Sequence, residues 1–124
     1  MAGEFGALAN KVREGRPENH GGMDGLGFPL PYGRAFAFAG RIGKVNTAFD
    51  IGRLSAVLDI GGIVNTGGAG AVSETVKPLD VVIADSVCFP EVDTTAFGSP
   101  LGQLGGGPRW FETDPAFLHA APPR

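Results

Sequence analysis

The chain has 124 residues, room for one modest core. Leu, Ile, Val and Phe supply 33 of them, above the level of a disordered chain, while 21 glycines and 10 prolines bring a quarter of the sequence to the border of low complexity. A formal net charge of −3 with interspersed signs offers no basic stripe for nucleic acid, the single Cys88 excludes an intrachain disulfide and a multi-cysteine zinc site, and no apolar run of about 18 residues points to a membrane. Nothing resembles a signal peptide, so a cytoplasmic location is expected.

Residues 1–34 read as a poorly ordered amino-terminal segment, and residues 35–124 as a partial α/β domain. Lys11 to Gly27 mixes charges with Pro17 and several glycines and keeps no period, which predicts loop. Phe28 to Gly33 predicts an extended piece and a turn, because each proline biases its predecessor away from helix. Ala35 to Ala39 predicts a strand. Lys44 to Leu58 predicts a helix whose apolar face is Val45, Ala48, Phe49, Leu54, Val57 and Leu58. A strand through Ile63-Val64 runs into the glycine-rich Asn65-Thr-Gly-Gly-Ala-Gly70. A second buried strand is expected over Val81 to Ala84, between Asp80 and Asp85. Pro115 to Ala121 predicts a helix with Thr113 or Asp114 as its N-cap. Strands and helices in this order make an α/β layer rather than a repeat array.

Two neighbouring strands that end in small, polar, glycine-rich turns suggest a ligand crevice at the carboxyl ends of a sheet. Gly67, Gly68 and Gly70 permit positive φ and close backbone approach, although a plain strand-exit turn has the same composition. Two nucleotide-binding motifs fail by residue. A phosphate loop ending in Gly43-Lys44 needs glycine at 38 and Ser or Thr at 45, where the chain has Phe38 and Val45. A dinucleotide fingerprint through Gly68 and Gly70 meets Ser73 in place of its third glycine. His20 and His119 form no constellation with Cys88 or a serine. Asp85, Asp93, Glu112 and Asp114 read as strand-end, turn and cap residues.

Four blocks occur in one order: Arg41-Ile-Gly-Lys-Val-Asn46, Asn65-Thr-Gly-Gly-Ala-Gly70, the Asp80–Asp85 strand, and Thr95-Ala-Phe-Gly98 followed by Gly102-Gln-Leu104. Together they resemble the 5′-methylthioadenosine/S-adenosylhomocysteine nucleosidases of the nucleoside phosphorylase superfamily. The Arg41–Asn46 block is similar to that family's Gly-Ile-Gly-Lys turn, with Arg41 in place of glycine. The Asn65–Gly70 block is similar to its Asn-Thr-Gly-Ser/Val-Ala-Gly loop, with Gly68 in place of Ser or Val. The likeness runs from about Ala35 to about Ala120, and it implies the amino-terminal half of such an enzyme. The implied fold is α/β: a partial mixed sheet with flanking helices, a fragment of the nucleoside phosphorylase-like three-layer fold.

The resemblance also implies an activity: hydrolysis of the N-glycosidic bond of a purine nucleoside by a homodimer that needs no metal or organic cofactor. Such a reaction builds oxocarbenium character on the ribose and requires a base to orient water, a proton donor at the purine, and anchors for the ribose hydroxyls. Met1-Ala-Gly-Glu4-Phe5 resembles the end of the family's Met-Glu-Glu-Glu run, which makes Glu4 the candidate base; a solvated terminal carboxylate is the plain alternative. Ile42, Gly67, Gly68, Ala69, Gly70, Thr94 and Phe97 are the implied substrate-binding residues. Phe97 would supply an apolar wall for a neighbour's 5′-alkylthio group, although an ordinary core or interface aromatic fits the same position. The family's proton-donating Asp and ribose-binding Met-Glu pair have no counterpart here, so the chain alone is expected to be inactive. A non-catalytic fragment or pseudoenzyme that pairs with a partner chain, and a phosphorolytic purine nucleoside phosphorylase, remain as alternatives.

Overall fold

A computed structural model describes Gly6, Asn10 and residues 15–120. The chain groups into two compact units, Met1–Gly70 and Ala71–Arg124. The first contains β1 (Arg16–His20), β2 (Met23–Leu30), β3 (Gly33–Phe38) and α1 (Lys44–Ser55). The second contains β4 (Ser86–Val87), a 3₁₀ turn (Thr95–Phe97), β5 (Phe111–Glu112) and α2 (Pro115–Ala120). The boundary expected at 34/35 falls inside β3.

The first unit is a three-stranded antiparallel meander ordered β1-β2-β3. From Arg16 onward its opening contradicts the loop expected over 11–27, of which residues 11–14 lie outside the described residues. The strand β1 is Arg-Pro-Glu-Asn-His, without apolar alternation, and it forms because Gly21 and Gly22, at φ 55° and 78°, make a two-residue hairpin that pairs His20 with Met23. Across that hairpin Asn19 Nδ2 donates to Asp24 Oδ1 at 2.8 Å. Among the described residues the ladder to β1 ends at Gly27 opposite Arg16, so Pro29 lies beyond it, paired with Arg34 of β3 alone, where a missing N–H is tolerated. Two glycines let the layers close. A Cβ on Gly25 would meet the Ala37 carbonyl oxygen and lie 2.6 Å from the Phe36 ring, and a Cβ on Gly27 would run into the Glu18 carboxylate. Phe36 stacks on Phe38 at 5.9 Å and takes the edge of His20 at 4.8 Å.

The helix α1 starts where expected and ends at Ser55, three residues early, with the Val57 and Leu58 amides both returning to the Leu54 carbonyl. Its apolar face is not buried as a stripe. Leu54 and Asp50 are buried, each at 3% exposure, whereas Val45, Phe49 and Val57 lie open to solvent.

Neither of the two apolar strands expected at 63–64 and 81–84 has formed. Ile63, Val64, Val81, Val82 and Ile83 are all exposed, and the pairing in the second unit is Ser86 with Glu112 and Val87 with Phe111. An apolar, β-branched run states that a segment suits a buried strand; the ladder also needs a neighbour for its amides and carbonyls. Thr113 extends the β4–β5 pairing, its amide donating to the Asp85 carbonyl at 2.8 Å and its hydroxyl to the Ala84 carbonyl at 2.7 Å. That leaves Asp114 as the cap of α2, with Oδ1 accepting from the Ala116 amide at 2.8 Å. Phe89 and Phe111 meet edge to face at 5.6 Å. Sheet and helix together make the α/β class expected, and every described ladder is antiparallel.

Candidate functional site

The turn that opens α1 is the most tightly fixed of the expected site segments. Gly43 sits at φ 97°, a conformation that side chains disfavour, and its carbonyl accepts the Thr47 amide at 3.0 Å and the Thr47 hydroxyl at 3.1 Å. Asn46 Nδ2 donates to the Ile42 carbonyl at 2.7 Å. From the opposite side Asp50 takes Arg41 by a forked contact. Arg41 Nη2 lies 2.6 Å from Oδ1, Nε lies 3.1 and 3.2 Å from the two oxygens, and the Arg41 amide lies 3.4 Å from Oδ2. The hydrogen bonds from Arg41 hold the Asp50 carboxyl below its ordinary range against the opposing effect of burial, and they push the guanidinium up in turn. The Arg41 guanidinium also lies 5.3 Å from the centre of the Phe49 ring, and that of Arg53 lies 5.8 Å from it. Ile42, at the apex, is 79% exposed.

A cavity of about 280 Å³ lies beside this turn, lined by Arg41, Asp50, Arg53, Phe38, Met23 and Asp24 among others. It takes in Arg41 but not Ile42. On the sheet, Glu18 accepts from Arg34 and lies 2.8 Å from His20 Nε2; the His20 contact foremost, with Arg34 adding to it, lowers the Glu18 carboxyl from its ordinary value.

The glycine loop is open. Every residue from Gly61 to Gly70 is exposed, and a Cβ on Gly67 or Gly70 would meet nothing within 4 Å. Gly67, Gly68 and Gly70 keep ordinary φ values, so they supply bare backbone and not the left-handed turn that their composition permits.

In the second unit the Thr94–Phe97 segment is a closed loop. The Gly102 amide donates to the Val92 carbonyl at 2.8 Å, and the Thr94 hydroxyl to the Gln103 carbonyl at 2.9 Å. Asp93 Oδ1 accepts from the Thr95 hydroxyl at 2.7 Å and from its amide at 3.0 Å, which lowers the Asp93 carboxyl. Thr94 thus spends its proton on the loop. Phe97 stands 89% exposed at the tip.

Ile42 and Gly67–Gly70 therefore belong to the first unit, and Thr94 and Phe97 to the second. Glu4 lies outside the described residues. No group of three or more His, Cys, Asp or Glu side chains gathers as for a metal among the described residues, and no described helix is long and apolar enough to cross a membrane. Sequence reading missed the Arg41–Asp50 pair. Its signal was present, since Asp50 falls on the stripe that continues through Leu54 and Val57, where a carboxylate needs a partner.

Comparison with known proteins gives one answer. The model of the phosphorylase superfamily matches residues 1–122. A 5′-methylthioadenosine/S-adenosylhomocysteine nucleosidase of Hydrogenovibrio crunogenus is 32% identical over 114 residues, 92% of this chain and 49% of the relative. The Streptococcus pneumoniae MTA/SAH nucleosidase solved with 8-aminoadenine superposes with a TM-score of 0.85 at 31% identity, over 96% of this chain and 53% of that one. The Neisseria meningitidis nucleosidase solved with methylthio-immucillin-A gives 0.80 at 30% identity, over 97% and 52%. The chain spans about half the length of the relatives it matches.

Proposed function

Because this chain belongs to the phosphorylase superfamily, we propose that it carries part of the site of a purine nucleosidase that hydrolyses methylthioadenosine or S-adenosylhomocysteine to adenine and a thio-ribose. The observation that carries this reading is the superposition on a nucleosidase solved with an adenine analogue, at a TM-score of 0.85 over 96% of the chain. Within that reading Ile42 and the bare backbone of Gly67, Gly68, Ala69 and Gly70 border the nucleoside. Thr94 shapes the loop that carries Phe97, and Phe97 gives an apolar wall to the 5′-alkylthio group of a partner in a homodimer. Glu4 orients the water that attacks the ribose as the bond to the purine breaks. Neither metal nor organic cofactor takes part. The work belongs to methionine salvage in the cytoplasm.

The test pairs binding with turnover. Saturation-transfer NMR of the chain with methylthioadenosine should detect binding, and an adenine-release assay should detect none. The reason is chemical: no residue of this sequence stands for the family's proton donor or its ribose anchors. Robust turnover by the chain alone would overturn the partial-site reading, absence of binding would overturn the nucleoside reading, and phosphate-dependent release would favour the phosphorolytic branch.

A further inference from the structure

We propose that Asp50 is a positioning residue that fixes the Arg41–Gly43 turn, and with it Ile42, in the geometry that meets the nucleoside. The inference rests on the function proposed above. The resemblance places glycine ahead of Ile42; this chain has Arg41. A side chain at a glycine position narrows the backbone freedom of the turn and sets a long cation next to a binding residue. Here the long side chain is folded back onto a carboxylate on the buried face of α1.

Three observations make the pair more than a surface contact. Asp50 is 3% exposed, the one charged side chain buried among the described residues. Its two oxygens take the Arg41 backbone amide as well as the guanidinium, so they hold main chain and side chain together. On the other side Asn46 and Thr47 take the carbonyls of Ile42 and Gly43. The turn is thus gripped at its amide and at its carbonyls by one helix, while the Ile42 side chain stays open to a ligand. Arg53, one turn along α1 from Asp50, donates to the Gly21 carbonyl and ties the same helix to the β1–β2 hairpin. The helix is therefore a fixed support for the turn.

If the grip is lost, the turn samples other conformations. A turn competent in about a tenth of molecules weakens apparent affinity about tenfold. The experiment uses the whole chain, with Asp50→Asn, Arg41→Ala and the double variant. Two quantities are read: backbone order parameters at residues 41–43 and methylthioadenosine affinity by NMR titration. The wild type should show order parameters near about 0.85, and each variant values below about 0.6 with affinity down about tenfold, β2 remaining unchanged. The double variant should be no worse than either single one, because both act through one contact. Arg41 is half exposed, so Arg41→Ala serves if Asp50→Asn does not fold. A mobile turn with unchanged affinity, or a turn that stays rigid without Asp50, would overturn the proposal. A wild type with a rigid turn and no nucleoside affinity would overturn the function itself and the role of the turn with it.

Discussion

Replacing Gly25 by Ala should destabilise the first unit by about 2 kcal/mol. The added methyl has nowhere to go: it meets the Ala37 carbonyl oxygen, which is main chain in the β2–β3 ladder, and sits 2.6 Å from two carbons of the Phe36 ring. The ring can turn, but only by leaving its stack on Phe38 and its edge contact with His20. Forcing one methyl into such a contact costs about 1–3 kcal/mol, and the immovable carbonyl puts this case near the top of that range. Alanine also narrows the unfolded ensemble, which returns about 0.4–1 kcal/mol where the native φ suits it. Gly25 keeps an ordinary φ, so that offset applies and leaves the net cost near about 2 kcal/mol. Gly27→Ala is the control. Its methyl meets the Glu18 carboxylate, the free end of a side chain, which can swing out at the cost of its contacts with Arg34 and His20. Urea unfolding followed by circular dichroism should therefore rank Gly25→Ala as clearly the more damaging. Equal midpoints for the two, or a Gly25→Ala chain as stable as the wild type, would refute the close approach of β2 to β3.

Two further outcomes follow from the charges and the exposed apolar run. Glu18, Asp50 and Asp93 all have depressed folded pKa values. Each binds protons more readily unfolded than folded, so its contribution is full above the ordinary carboxylate range and is lost as pH falls through the folded value; the urea midpoint should stay flat down to about pH 5 and fall below about pH 4, and a midpoint that rises on acidification would contradict the pairing. Val81, Val82 and Ile83 form an exposed, β-branched run outside any described ladder, so the wild-type chain should bind a hydrophobic dye and self-associate, and Val82→Lys should reduce both; a sharp, dye-silent monomer peak from the wild type would count against it.

The sequence disclosed elements wherever the stabilising feature was local. The β3 strand is an aromatic–alanine alternation, α1 begins after a glycine that accepts a positive φ, and α2 follows an Asp-Pro start. It failed where the partner decides. The β1 strand carries no strand signal of its own and exists through the Gly21–Gly22 turn and the ladder that turn sets. The Ile63–Val64 and Val81–Ala84 segments show the reverse: their composition suits a buried strand, yet neither pairs among the described residues. Side-chain chemistry measures compatibility with a sheet, and the ladder is a property of two segments.

The candidate site divides along the same line. Its blocks were readable because short glycine motifs keep their order along the chain, and the superfamily they pointed to is the one whose model matches residues 1–122. What they could not convey was how a departure is absorbed. Arg41 alone reads as damage to a glycine turn. Asp50 alone reads as a flaw in the apolar stripe of α1, since a buried carboxylate without a partner is costly. The forked contact joins the two, and the cation that breaks the motif is the partner that the stripe requires. That pairing reaches across 9 positions, from a turn into the body of a helix, so neither the helical period nor a motif window holds both residues. It becomes visible once the helix and the turn are placed together, and it is why Arg41→Ala and Asp50→Asn should behave as one lesion.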